Sequence, residues 1–314
     1  MPLNVALLGP AGIGLIHARE FAHAGAHIAG VLASTMESTC RHAAQFSEKF
    51  GYEIKAHENL DDVLRSPVQA ISICTPAEAH LSMIDAALDA GKYVFAEKPL
   101  FWNAPMPADD VARICAQLRN KAAGRLLVNT SNVTFLKSYA AHFPLPRVID
   151  EFYFRFATHG RYRFRDIGID LLPHAFSLLL ELAPDGIASE LTQTVSEYTY
   201  ACAFKFSGIR VNFEFCQDPA MQRELVFAVN GRRVRRIQQP TDNGLRILID
   251  CDDAPDHPID VPDPFRVFID GFVRAAECGG SFEREAPMIG RNMELLAAFA
   301  AAPAANAMKA GLQA

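Results

Sequence analysis

The sequence is short of several things, and each shortage rules something out. Its 314 residues include seven cysteines, at 40, 74, 115, 202, 216, 251 and 278. No two stand as C-x-x-C, none has metal-ligand spacing, and the count is odd, so the chain reads as a carrier of reduced thiols in the cytoplasm, without a metal site. Positive charge is in deficit: 30 Lys and Arg face 36 Asp and Glu, for a net charge of −6. That balance argues against nucleic acid as a partner. No apolar run reaches the length that spans a bilayer, so no membrane is expected. The apolar start lacks a basic leader and is broken by His17, Arg19 and Glu20, so it does not read as an export signal. Internal repeats and low-complexity linkers are missing as well. The one biased stretch, the Ala-rich tail from Ala300, reads as a fraying helix end.

What is present begins with glycine in one place. Val5 to Leu8 is a short apolar run that reads as a buried strand, Leu15 to Ala24 reads as a helix, and Ile28 to Ala33 is a second apolar run. Between the first strand and the helix stands Gly9-Pro10-Ala11-Gly12-Ile13-Gly14. Strand, glycine turn, helix and strand over about thirty residues make a unit that binds a dinucleotide. Gly9 permits the tight turn, the small residue at 11 lets backbone approach a pyrophosphate, and Gly14 lets the helix pack close to the strand. Gly12 and Ile13 complete the cofactor-binding turn, and the N-terminus of the helix that follows offers free N–H groups and a positive dipole end to phosphates. The second glycine of the usual pattern is Ala11 here.

After the second strand an acidic residue often holds the ribose 2′-hydroxyl of NAD. This chain offers Ser34 and Thr35 there, with Arg41 in the helix that follows, from about Met36 to Phe50. Small hydroxyls leave room for a 2′-phosphate and an arginine can pair with it, which leans the choice between NADP and NAD towards NADP. The plainer reading is that Ser34 or Thr35 caps the helix. Further strands follow at 70–74, 93–96 and 125–129, alternating with helices at 59–66, 78–90 and 104–120. Such alternation predicts a parallel sheet with helices on both faces and ligands at the C-terminal strand ends, where Thr75, Pro76, Glu97 and Lys98 fall.

Cys74-Thr75-Pro76-Ala77-Glu78-Ala79-His80 and Ala90-Gly91-Lys92-Tyr93-Val94-Phe95-Ala96-Glu97-Lys98-Pro99, together with the glycine turn, resemble the glucose–fructose oxidoreductase/inositol dehydrogenase/MocA family over roughly the first 130 residues. The resemblance implies an α/β chain: a Rossmann parallel-sheet domain, here 1–128, then an α+β domain, here 129–314, with a large open, mostly antiparallel sheet. It implies hydride transfer between nicotinamide and a sugar, polyol or related carbonyl or imine, with the substrate between the domains. It places Lys98 against substrate and nicotinamide ribose, a cis peptide before Pro99, His80 among the nucleotide-binding residues, and a homodimer or homotetramer formed through the open sheet. Lysine suits that place, because hydride transfer at an oxygen-bearing carbon needs a proton route and positive charge where oxyanion character develops. The arginines of the family's segment after the last Rossmann strand are absent from Asn129-Thr130-Ser131-Asn132-Val133-Thr134-Phe135.

In the second half, Val148 to Ala157 alternates with Phe152, Phe154 and Phe156 on one side and reads as a strand. Arg161, Arg163 and Arg165 would share a face if their stretch were a strand, either as an anionic-substrate site or as a solvated face. The family's D-x-x-x-H signature has two registers: Asp166 to Asp170, with aspartate in the histidine's place, or Asp170 to His174. A helix beginning near Asp170 would put Pro173 in a tolerant first turn. All three side chains step along one helical face. His174 is the expected proton carrier, Asp170 its orienting partner or the alternative acid, and Asp166 the third candidate. Residues 188–250 read as an antiparallel meander, Arg232, Arg233, Arg235 and Arg236 as a polar edge, and 264–277 and 286–302 as helices. Two rival readings stay open: imine reduction or NAD-dependent glycoside cleavage on the same scaffold, and a regulator that binds nucleotide without turnover.

Overall fold

The computed structural model describes residues 2–241 and 244–306. The chain divides into two compact units. One takes the chain up to Pro105, Asp109–Ser131 and Pro264–Met293; the other takes Met106–Ala108, Asn132–Asp263 and the chain from Glu294 onward. The assignment by sequence gave all of 129–314 to the second domain, whereas residues 264–293 cluster with the first unit.

In the first unit the elements run β1 (Asn4–Leu8), α1 (Ile13–His23), β2 (His27–Leu32), α2 (Met36–Phe50), β3 (Lys55–Ala56), α3 (Leu60–Arg65), β4 (Ala70–Ile73), a 3-10 turn at Ala77–Ala79, α4 (His80–Asp89), β5 (Tyr93–Ala96), α5 (Ala108–Ala122) and β6 (Leu126–Val128). The strands form one parallel sheet in the order β3-β2-β1-β4-β5-β6. β1, β4 and β5 are almost wholly buried, as runs without polar alternation require of strands covered on both faces. The order reverses direction between β1 and β4, so a crevice opens at their C-terminal ends, where such sheets take ligands.

The second unit contributes α6 (Val133–His142), β7 (Glu151–Ala157), α7 (Arg165–Leu182), β8 (Ala188–Val195), β9 (Thr199–Phe206), β10 (Ile209–Cys216), β11 (Glu224–Val229), β12 (Arg232–Thr241), β13 (Gly244–Cys251) and β14 (Ile259–Asp260). The chain then makes α8 (Pro264–Glu277), α9 (Ala286–Ala301) and β15 (Ala305–Asn306). α8 belongs to the first unit's core: Ile269, Phe272 and Val273 join Phe21 of α1 and Phe95 of β5. The Ala-rich tail leaves the helix after Ala301 and adds a short strand; its remainder lies outside the described residues.

The nine-stranded second sheet has the order β14-β13-β12-β11-β7-β10-β9-β8-β15. It is mostly antiparallel, but β7 runs parallel to β10 at its centre. Phe152, Phe154 and Phe156 are buried on the face that α7 covers, as their alternation requires. β12 is not an edge: it lies between β11 and β13, which corrects the reading of its arginines as an edge.

Candidate functional site

The glycine turn is built as its spacing demands. Gly9 adopts φ 81°, and a Cβ there would lie 2.8 Å from the backbone carbonyl of Cys74, at the end of β4. Gly14 sits so close beneath the turn that a Cβ would come within 2.1 Å of the Gly9 carbonyl oxygen. These two glycines let the turn and the helix press against the sheet. Gly12 differs: its φ is 55°, nothing lies within 4 Å of a Cβ position, and it caps α1 without a side-chain hydrogen bond. Ala11 and Gly12 are exposed and Ile13 is half-buried. The open space and the uncapped helix start fit a pyrophosphate. Gly14→Ala is expected to cost about 2 kcal/mol, because the clash is with backbone that cannot rotate away. Thermal unfolding of the variant checks this.

Thr35 caps α2, its hydroxyl accepting from the Ser38 N–H at 3.2 Å. Ser34 is exposed. Arg41 donates to the Ser38 hydroxyl at 3.1 Å and approaches Glu37 at 3.9 Å, with more than half of its side chain in solvent.

At the strand ends, His80 is buried, and its two ring nitrogens lie 2.7 Å from the Thr75 carbonyl and 3.0 Å from the Pro99 carbonyl. It ties together the loops that carry Thr75-Pro76 and Lys98-Pro99. Thr75 is half-buried and Pro76 exposed. The Lys98–Pro99 peptide is cis. Lys98 is half-buried, and its N–H donates to the Glu97 carboxylate at 3.3 Å.

Glu97 is the hub beneath that lysine. One carboxylate oxygen lies 2.9 Å from Nε2 of His17 and accepts from the Asn129 amide at 2.6 Å. On its other side the His17 ring places Nδ1 2.9 Å from the Ser72 hydroxyl and 3.1 Å from the Cys74 sulfur. Four elements therefore converge on one buried network: α1, β4, β5 and the end of β6. Burial alone disfavours charge on His17, but Cys74 and then Glu97 outweigh it and raise the imidazole above its ordinary 6.5. Burial likewise opposes charge on Glu97, and the His17 hydrogen bond and charge, Lys98 and Asn129 hold its carboxyl below 4.5. Sequence reading passed over His17 and Asn129. The signal for His17 was its place on the buried stripe of α1 with Gly14, Ala18 and Phe21.

In the second unit, α7 starts at Arg165 rather than near Asp170. Phe164 precedes it at φ 53°, and Gly168 fits against Tyr200, whose ring a Cβ would meet at 2.7 Å. Pro173 is therefore inside the helix, not in its first turn. Asp166 occupies the exposed first turn, where it complements the helix dipole. Asp170 is half-buried and accepts from the Gln217 amide at 2.5 Å. Gln217 is fully buried and also takes the Tyr162 N–H at 2.8 Å, so it fixes Asp170 to the loop before the helix. The sequence reading did not single out Gln217. His174 is half-buried, edge-on to Phe156 with ring centroids 5.4 Å apart.

The three arginines before α7 do not share a strand face. Arg163 bonds the carbonyls of Gly160, Tyr162 and Gln217 and lies over Tyr198 at 4.6 Å. Arg165 bonds the carbonyls of Ala300 and Ala302 at 3.1 Å, and Arg161 lies exposed over Tyr162. Backbone carbonyls occupy two of them, because the segment is a loop that must satisfy its own polar groups.

A parallel sheet with a glycine turn at its reversal point has the form of a nucleotide-binding Rossmann unit. Residues 3–125 match the family model described as "Oxidoreductase family, NAD-binding Rossmann fold". Over those residues the chain is similar to the glucose–fructose oxidoreductase/inositol dehydrogenase/MocA oxidoreductase family. It is 32% identical over 154 residues to an inositol 2-dehydrogenase of Ralstonia nicotianae, covering 48% of this chain and 42% of the relative. An inositol 2-dehydrogenase of Salmonella typhimurium is 29% identical over 167 residues, 52% of this chain and 46% of the relative. These matches span less than half of the relatives' own length. Among solved structures, KijD10, a 3-ketoreductase from Actinomadura kijaniata in complex with NADP, superposes with a TM-score of 0.74 at 19% identity, over 98% of this chain and 100% of that one. UDP-N-acetylglucosamine 3-dehydrogenase GnnA from Acidithiobacillus ferrooxidans gives 0.71 at 18%, over 96% and 97%. At such identities these two likenesses speak for the fold. Among the described residues no helix is long and apolar enough to cross a membrane.

Proposed function

We propose that the protein is an NAD(P)-dependent oxidoreductase acting on a sugar, polyol or related small carbonyl compound. The observation that carries the reading is the buried Glu97 network, which fixes the backbone of Lys98 at the C-terminal end of β5. A lysine needs no such four-element anchor to be a surface residue.

Gly9, Ala11, Gly12, Ile13 and Gly14 would hold the nucleotide's phosphates, with Thr75, Pro76, His80 and Glu97 shaping the strand-end wall. When bound, the nicotinamide supplies a hydride acceptor or donor. Lys98 provides positive charge to the substrate oxygen as it gains anionic character, and lowers the barrier to moving its proton. His174 takes or returns that proton, since an imidazole can act in either direction. Asp170, held by Gln217, is the alternative acid. Asp166, exposed in the first turn of α7, is the third candidate and also complements the helix start.

NADP is the cofactor we favour, because no carboxylate stands at Ser34 or Thr35 and Arg41 needs only to leave a surface hydrogen bond to reach a 2′-phosphate. Arg41→Ala is expected to weaken NADPH binding by about tenfold, the loss of one charge-assisted contact, and to leave NADH unchanged. Calorimetric titration with each nucleotide reads this directly. We further propose a cytoplasmic homodimer or homotetramer formed through the open face of the second sheet. Nicotinamide absorbance followed across a panel of sugars, polyols and inositols tests the activity. Turnover of at least one substrate is expected; tight nucleotide binding without turnover across the panel would favour a regulator instead.

A further inference from the structure

One cation in the second unit has no partner that explains its place. Arg236 lies on β12, one step past the point where Val226 pairs with Arg235. On the same row of the sheet stand Tyr200, Phe215, Phe156 and Leu225, paired strand to strand and all buried. Arg236 is the charged member of this otherwise apolar row, half-buried, with its guanidinium 5.8 Å from the centroid of Phe156. Phe156 in turn meets the His174 ring edge-on, so the cation stands one aromatic ring away from His174.

The neighbouring carboxylates serve other groups. Asp250 is opposite Arg235, which puts it on the other face of the sheet. Glu224 pairs with Arg155 and approaches Arg235, and Glu214 pairs with Arg155. Among the described residues, the Arg236 side chain makes neither a hydrogen bond nor an ion pair. The charge that acts on it is another cation, the exposed Arg223 before β11, and burial and then Arg223 lower its pKa to about 10. A guanidinium withdrawn from water and facing a second cation is unfavourable unless an anion joins it.

We propose that Arg236, with Arg223 behind it, anchors an acidic group of the substrate, a carboxylate or a phosphate, beside His174. This rests on the reading of His174 as a residue that faces substrate. Planar, bidentate recognition of either group is what a guanidinium offers and an ammonium does not. It narrows the substrate class from sugars and polyols at large to those that carry an acid near the reacting carbon.

The test is calorimetric titration of the wild type, Arg236→Gln and Arg236→Lys, each with and without NADPH, using inorganic phosphate, D-glucuronate, D-glucose 6-phosphate and neutral D-glucose. At least one acidic probe should bind the wild type about tenfold or more tightly than Arg236→Gln, with Arg236→Lys in between. Binding of glucuronate alone assigns a carboxylate, and of the phosphorylated probes alone a phosphate. The Tm of Arg236→Gln should not fall, since no hydrogen bond or ion pair of its side chain is lost and the contact with Phe156 is long at 5.8 Å; a structural cation would lower it. The proposal is overturned if no acidic probe distinguishes the wild type from Arg236→Gln. Nicotinamide turnover separates the two readings. Arg236-dependent binding without turnover of any probe leaves the anion site standing and counts against the oxidoreductase. A neutral sugar turned over at full rate by Arg236→Gln does the opposite.

Discussion

Lys98→Met lowers kcat/KM by about 10³-fold while Tm stays close to that of the wild type and nucleotide affinity falls by no more than about tenfold, the loss of one ribose hydrogen bond. The expectation follows from where the amine is carried. Its backbone is fixed by the Glu97 carboxylate and by a strand whose residues are buried, so removing the charged tip leaves the support intact. What is lost is positive charge at the developing oxyanion and the group that eases proton movement, together worth about 4 kcal/mol of barrier. Steady-state kinetics on the first substrate found, beside a calorimetric measure of NADPH binding, separates this from a collapse of the site. A variant that bound nucleotide poorly and unfolded early would instead make Lys98 a structural residue.

Glu97→Ala is expected to destabilise the first unit by about 3–5 kcal/mol, because it leaves the buried His17 Nε2 and the Asn129 amide without the carboxylate that both reach. The pH dependence carries the same signature with a definite sign. His17 has a folded-state pKa above 6.5, so its stabilising contribution is complete below that value and is lost as pH rises through the raised one. Glu97 has a folded-state pKa below 4.5, so its contribution is complete above that value and is lost as pH falls through the lowered one. The wild type should therefore lose stability on going alkaline from pH 6.5, and His17→Asn should flatten that limb. Chemical denaturation repeated across pH gives the measurement.

The parts of the site that were legible in the sequence are those written locally. The glycine turn is one, since a strand, three glycines and a helix are adjacent in the chain, and the strand-end residues Thr75 and Lys98 follow from alternating strands and helices. The helix carrying Asp166, Asp170 and His174 was placed four to five residues late. Its start depends on Phe164 in a left-handed conformation and on Gly168 lying against Tyr200, which is more than thirty residues away in the chain. Arg161, Arg163 and Arg165 alternate like a strand, yet Arg163 and Arg165 are spent on carbonyls of a loop and of the α9 terminus. His17, Asn129 and Gln217 were passed over because each acts through a contact made distant in sequence: His17 and Asn129 reach Glu97, and Gln217 reaches Asp170. Arg236 was hidden by its neighbours, since four arginines in five positions look like a solvated stripe until strand alternation sends Arg232 and Arg236 to the face of buried Val234, where Arg232 pairs with Asp253.

The central claim is that the ends of β1, β4 and β5 clasp a nicotinamide nucleotide with the Lys98 amine beside its reactive end. A crystal structure of the protein grown with NADPH tests it most directly. The account predicts pyrophosphate density over Gly12 and Ile13 and the amine within hydrogen-bonding reach of the nicotinamide ribose. Nucleotide bound elsewhere, or bound here with the amine directed into solvent, would contradict it.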